Sequence, residues 1–204
     1  MLTIVDYGMG NLRSVQKVFE LLGFSAQIIS APEEVRRADK LILPGVGAFA
    51  DAIANLRRNS MDQAVKEFIS SGKPFLGICL GMQLLMNKGF EDGEYDGLGI
   101  VQGDCVRFTV DQPPVNLKVP HMGWNAIDFN PGTPLFSGIK PGSHFYFVHS
   151  YHVRPKDSQW IAAQTDYGGR FVAAISKNNV MATQFHPEKS QSLGRTILHN
   201  FARL

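Results

Sequence analysis

The stretch Pro74-Phe75-Leu76-Gly77-Ile78-Cys79-Leu80-Gly81-Met82-Gln83-Leu84-Leu85 constrains this chain more than any other. Phe75, Leu76 and Ile78 form an apolar run too short for a helix and bounded by Gly72 and Pro74, which reads as a buried strand. Leu80, Leu84 and Leu85 then follow a helical spacing, so the pattern predicts a strand, an abrupt turn at Cys79 and a helix. Gly77 and Gly81 stand two residues before and two after the cysteine. This G-x-C-x-G arrangement is the cysteine form of a nucleophile elbow, in which small neighbours let the backbone turn sharply at the carboxyl end of a strand. The N–H groups and dipole at a helix start favour a thiolate, the reactive form. A free cysteine taken alone is ordinarily a small core residue. The flanking glycines and the strand–turn–helix setting favour a nucleophile.

The rest of the first half repeats the same alternation. Leu2–Val5, Ser25–Ile29 and Lys40–Leu43 read as buried strands, with helices after Leu12, at Glu33–Arg37, up to about Leu56, and from about Met61 to Ser70. Asn11 is a plausible N-cap and Gly23 a helix stop. Strand–helix alternation from residue 2 to residue 89 predicts an α/β fold, a mostly parallel sheet with helices on both faces. In such sheets, sites lie beyond the carboxyl ends of the strands, where both Cys79 and the Gly45-Val46-Gly47 segment fall. From about residue 90 the segments are strand-like: Ile100–Phe108, Trp124–Phe129, Phe145–His149, Tyr151–Arg154, Ile161–Gln164, Phe171–Ile175 and Val180–Thr183. Pro/Gly turns such as Asn130-Pro131-Gly132 separate them, and they read as added antiparallel strands of the same domain. A helix from about Ser190 closes the chain, its apolar face formed by Leu193, Ile197, Leu198 and Phe201. The expectation is one domain over residues 1–204.

Composition narrows the function. A net charge of +2 with scattered basic residues implies no nucleic-acid partner. Two cysteines make no disulfide framework, and neither a secretory signal nor a membrane span is legible, so a cytoplasmic protein is expected. No metal or cofactor is expected, since C-x-x-C, H-E-x-x-H and the Walker loop are all missing. The Gly8/Gly10 pair lacks the third glycine of a dinucleotide fingerprint, with Arg13 in its place. Asp6 is better read as organising that turn.

A cysteine nucleophile needs a base that takes its proton and later hands one to the leaving group, and it gains from a carboxylate that fixes the base's tautomer. Gln184-Phe185-His186-Pro187-Glu188-Lys189-Ser190 supplies both. His186 sits at a strand end, Pro187 stops the ladder, and Glu188 is two residues on. The remaining five histidines lack a carboxylate at that spacing in so rigid a setting. Donors to a developing oxyanion are expected from the Leu80 N–H and the Gly45-Val46-Gly47 segment, which also reads simply as a tight βα turn.

Pro44-Gly45-Val46-Gly47, Gly77-Ile78-Cys79-Leu80-Gly81-Met82-Gln83 and Phe185-His186-Pro187-Glu188 together resemble the three signatures of the class I (triad) glutamine amidotransferases. The resemblance implies a doubly wound α/β fold and hydrolysis of glutamine to glutamate and ammonia by Cys79, His186 and Glu188. It also implies substrate contacts from Gln83, Glu91 and the backbone around Ser150 and Tyr151. The opening Ile4–Leu12, the run Pro120-His121-Met122-Gly123-Trp124-Asn125, the segment Tyr146–Tyr151 and Lys189-Ser190 are similar to glutaminase subunits of imidazole glycerol phosphate synthases. That similarity implies a (β/α)8 synthase subunit as partner in a heterodimer, receiving channelled ammonia for histidine biosynthesis. His121, Met122, Trp124, Asn125, Tyr146 and Lys189 are then the expected docking residues; Trp124 also reads as a core residue and Lys189 as a solvated one. A glutaminase of an amidino-sugar pathway or of vitamin B6 synthesis, an inactive binding module, and a cysteine peptidase or chaperone of the same broad fold remain as rivals.

Overall fold

A computed structural model describes residues 1–129 and 131–204; Asn130 of the expected Asn130-Pro131-Gly132 turn lies outside the described residues. The first half alternates as its apolar runs require: β1 (Leu2–Val5), α1 (Leu12–Leu21), β2 (Ala26–Ile29), α2 (Pro32–Arg37), β3 (Lys40–Gly45), α3 (Phe49–Arg58), α4 (Met61–Ser70) and β4 (Phe75–Cys79). A single turn, α5 (Leu80–Gln83), follows β4. Then come β5 (Met86–Gly89), β6 (Tyr95–Asp96), β7 (Val101–Arg107), β8 (His121–Phe129), β9 (Ser143–His149), β10 (Tyr151–Pro155), β11 (Ile161–Asp166), β12 (Arg170–Lys177), β13 (Val180–Thr183) and α6 (Gln191–Ala202).

Among the described residues, nine strands form one sheet in the order β2-β1-β3-β4-β13-β12-β11-β8-β9, and a second sheet runs β10-β7-β5-β6. The β2 to β13 half of the large sheet is parallel and the β12 to β9 half antiparallel. Alternate residues of one strand feed opposite faces. Leu41 and Leu43 of β3 join Val35, Ile53, Leu56, Val65 and Phe68 beneath α2, α3 and α4. Ile42, between them, joins Val15, Phe19, Ile197, Leu198 and Phe201 beneath α1 and α6. Burial on both faces explains why the parallel strands read as continuous apolar runs.

Four expectations need correction. The helix after Cys79 is one turn long, because the carbonyl of Leu84 accepts from Leu98 N–H (2.8 Å) and that of Leu85 from Ile100 and Val101 N–H (3.0 and 2.9 Å). Those carbonyls serve the β7 approach instead of a helix, and the chain returns to strand at Met86. Nor are the later strands all antiparallel additions, since β13 pairs parallel to β4 and β5 parallel to β7. Asn11 precedes α1 but its side chain makes no capping bond. Pro44 and Gly45 continue β3, which is therefore longer than the expected Lys40–Leu43 strand. The Asp6 reading has direct support, in a hydrogen bond from Gly8 N–H to Asp6 Oδ1 at 3.0 Å.

Helix α6 holds the turn that follows β13. Gly194 closes the first turn of the helix, where glycine costs up to about 1 kcal/mol relative to alanine. A Cβ there would overlap the Pro187 carbonyl oxygen and come 2.8 Å from Ser190 Cβ. Close approach, not flexibility, selects the residue. Gly194→Ala should therefore destabilise the protein by about 1–3 kcal/mol despite its better helix propensity. Thermal unfolding checks this: a fall in Tm is expected, and a rise would show that the Pro187 turn yields.

Candidate active site

Cys79 ends β4 with φ 53° and ψ −108°, a backbone conformation that costs a non-glycine residue about 1–3 kcal/mol. Both neighbouring glycines are required by contact. A Cβ on Gly81 would overlap the Leu43 carbonyl oxygen, and one on Gly77 would lie 2.8 Å from the Gly81 carbonyl oxygen and 3.1 Å from Ala182 Cβ. The turn is thus clamped between β3 and β13. Because α5 is one turn long, it offers Cys79 its first N–H groups and not a long helix dipole.

Strand β13 runs parallel to β4, so its end delivers residues 184–186 to the same edge. His186 and Cys79 line one cleft of about 430 Å3. His186 Nδ1 donates to Glu188 Oε1 at 2.8 Å, both side chains being almost completely buried. The backbone is pinned as well: His186 N–H donates to the Tyr146 carbonyl (2.9 Å) and the Ser190 hydroxyl to the His186 carbonyl (2.7 Å). Burial alone would depress the His186 pKa. The Cys79 sulfur and the Glu188 carboxylate outweigh it and push the ring up to about 10. Among the described residues its Nε2 has no hydrogen-bond partner, which leaves that nitrogen to the sulfur and to whatever enters the cleft.

The loop Val46–Gly47 forms the facing wall, with Gly47 at φ +96°. Gly45 does not reach the cleft. It is the last residue of β3, paired with Cys79, and a Cβ there would come 2.5 Å from the Tyr7 hydroxyl and 2.9 Å from Leu80 Cβ. Packing therefore requires its smallness, and of the Gly45-Val46-Gly47 segment Val46 and Gly47 are the residues that line the cleft. Leu80, Gln83, Glu91, Ser150, Tyr151 and Lys189 all line the cleft. Gln83 Nε2 donates to the Tyr151 carbonyl (3.1 Å) and to Gln184 Oε1 (3.2 Å), which leaves its own Oε1 as the free end. Glu91 Oε2 accepts from Phe49 N–H at 2.6 Å and so caps α3.

Sequence reasoning assigned no role to Gln184, which sits behind Cys79, or to His149 on the cleft wall. Gln184 is fully buried and its Nε2 donates to Cys79 Sγ at 3.7 Å. Its signal was a glutamine inside an apolar strand end, two residues before His186. His149 lines the cleft beside Val148.

The expected docking residues divide. Met122 and Trp124 are exposed, at 62% and 46%, and Trp124 packs edge-on against Tyr146 with ring centroids 6.0 Å apart. The core reading of Trp124 therefore fails. Lys189 lies exposed, its Nζ 6.0 Å from the Tyr146 ring centroid. His121 is 3% exposed and cannot dock. It points inward with Asn125, whose amide is committed to His121 Nε2 (3.3 Å) and the Asp166 carbonyl (2.8 Å). Successive residues of β8 face opposite sides, so Met122 and Trp124 share one face while His121 and Asn125 share the other.

Known proteins bear on this arrangement. A curated relative from Rhodopirellula baltica, described as imidazole glycerol phosphate synthase subunit HisH, is 56% identical over 203 residues, covering 99% of this chain and 97% of that protein. A relative from Syntrophotalea carbinolica with the same description is 53% identical, with 98% of each chain covered. The solved structure of PurLQS from Thermotoga maritima superposes with a TM-score of 0.78 at 17% identity, covering 99% of this chain and 97% of that one, a likeness of fold. The model of the family described as glutamine amidotransferase class-I matches residues 3–204. By that match over nearly its whole length, and by those relatives, the chain belongs to the class-I glutamine amidotransferase family.

Proposed function

We propose that residues 1–204 form one glutaminase domain, the glutamine-hydrolysing subunit of an imidazole glycerol phosphate synthase, acting in histidine biosynthesis. The relatives' shared description over almost their whole length supports the pathway. The observation that carries the chemistry is the placement of Cys79, at positive φ, in one cleft with a His186 whose Nδ1 is fixed by Glu188 and whose Nε2 is unpartnered among the described residues.

In this reading Cys79 Sγ, its proton already held by His186, bonds to the side-chain carbonyl carbon of glutamine. The carbonyl oxygen becomes an oxyanion facing the Leu80 N–H and the Val46–Gly47 loop, where each backbone donor lowers the barrier by about 2.7–4 kcal/mol. His186 returns the proton to the departing nitrogen, the C–N bond breaks, and ammonia leaves a thioester on Cys79. Water, deprotonated by His186, then attacks that carbon, releasing glutamate and restoring the thiol. Gln83, Glu91, Ser150 and Tyr151, all on the cleft wall, hold the amino-acid end of the substrate.

The partner is a (β/α)8 synthase subunit in a heterodimer, docked over Met122, Trp124, Tyr146 and Lys189. Asn125, half-buried, supports that face from within. Ammonia crosses to the partner and is consumed there in forming imidazole glycerol phosphate and an aminoimidazole carboxamide ribonucleotide. Among the described residues no helix is long and apolar enough to cross a membrane. The pathway's water-borne substrates agree with a cytoplasmic setting.

Three outcomes are expected of the complex. Cys79→Ala abolishes ammonia release from glutamine while pull-down with the synthase subunit is unchanged; retained hydrolysis would sink the nucleophile assignment. Glu188→Gln lowers glutaminase kcat about 10²–10⁴-fold and shifts the His186 ring titration, followed by NMR, to lower pH, because one of the two groups that raise it is gone. Trp124→Ala raises the Kd for the partner about thirtyfold, the effect of an interface residue worth about 2 kcal/mol, with a Tm change under about 2 °C. An unchanged Kd would move the docking face elsewhere.

A further inference from the structure

The chain crosses from the nine-stranded to the four-stranded sheet at Ser150, between β9 and β10, and this crossing forms one wall of the cleft. A hydrogen-bond chain lies buried behind it. His149 Nδ1 is 2.7 Å from the Tyr151 carbonyl oxygen, His121 Nδ1 is 3.0 Å from His149 Nε2, and Asn125 Nδ2 is 3.3 Å from His121 Nε2.

Only one set of protons satisfies this chain. The Tyr151 carbonyl only accepts, so His149 carries its proton on Nδ1. A neutral His149 then accepts at Nε2, which makes His121 the donor through its own Nδ1 and leaves His121 Nε2 to accept from Asn125. The amide orientation of Asn125 is independently set, because Ala126 N–H donates to its Oδ1 at 2.9 Å and its Nδ2 also donates to the Asp166 carbonyl. Burial depresses His121 to about 4 and His149 to about 3, so both rings are neutral at physiological pH. Direction therefore runs from Asn125 to Tyr151.

We infer that His149, held in one tautomer by His121 and Asn125, is a positioning residue that fixes the Tyr151 carbonyl and with it the Ser150–Tyr151 wall against which glutamine binds. This role rests on the glutaminase reading. The Tyr151 carbonyl accepts from Gln83 as well, so two cleft side chains converge on a single backbone oxygen. Losing the His149 bond leaves Gln83 as its one side-chain partner among the described residues and frees the crossing to shift.

The test compares His149→Leu, which deletes the donor, with His149→Asn, whose side-chain amide can occupy the Nδ1 position and donate to Tyr151. Glutaminase kinetics of the complex should show KM for glutamine raised about tenfold in the leucine variant with kcat changed less than threefold, and recovery of KM to within about threefold in the asparagine variant. Wild-type KM in the leucine variant, or no recovery in a stably folded asparagine variant, overturns the inference. Should the leucine variant fail to fold, the asparagine variant and ring ¹⁵N NMR of the wild type decide. Nδ1–H tautomers at both His121 and His149 are expected, and an Nε2–H tautomer at either one overturns the chain. An inactive wild-type complex overturns the glutaminase function and this role with it, whereas an active wild type matched by the leucine variant overturns the role alone.

Discussion

Strand β4 is hydrogen-bonded in parallel to β3 on one side and to β13 on the other, and everything at the cleft follows from that sandwiching. Parallel neighbours end on the same side of a sheet, so Cys79, the Val46–Gly47 loop and His186 emerge together although they come from distant parts of the sequence. The same neighbours leave no room at the turn. Gly77 and Gly81 are the only side-chain sizes the backbones of Leu43 and Gly81 and the Ala182 side chain tolerate, and the positive φ of Cys79 is held by that confinement.

The electrostatics of the cleft rest on a few buried partners. His186 is kept basic against its own burial by a sulfur and a carboxylate. His121, His149 and His152 are all depressed, burial being the first cause in each. His152 stacks on Phe108 with ring centroids 4.7 Å apart, and its Nδ1 has no partner among the described residues. Two classes of histidine thus sit within one region, separated by whether the Cys79 sulfur and the Glu188 carboxylate are in contact.

Much of this was legible in the residues. Strand and helix order came from apolar periodicity, and the residues proposed as nucleophile and base were picked out by residue type, glycine spacing and the neighbouring carboxylate. The failures have physical causes. Leu80, Leu84 and Leu85 have helical spacing, yet the last two are buried beneath β7's approach, and a local pattern carries no information on which backbone claims their carbonyls. At Gly45 a glycine signals both conformational freedom and close packing, and only the Tyr7 hydroxyl and Leu80 Cβ beside it show that packing demands it. His121 was grouped with Met122 and Trp124 by proximity in sequence, although strand alternation puts it in phase with the fully buried Ile127. That phase was the available signal. Gln184 gave almost none, because its partner is a sulfur brought in by a different strand.

Glu91 carries a geometric debt. One of its oxygens is committed to Phe49 N–H, where a negative charge at a helix start contributes about 0.3–1 kcal/mol. The other is the oxygen left for the cleft. A carboxylate anchored in this way behaves as a hinge pin and not as a free arm: it cannot swing out to meet a cation without unfastening the helix that begins just past Gly47. Whatever grips that side chain also grips the far end of the glycine loop, so the two walls of the cleft share one fastening.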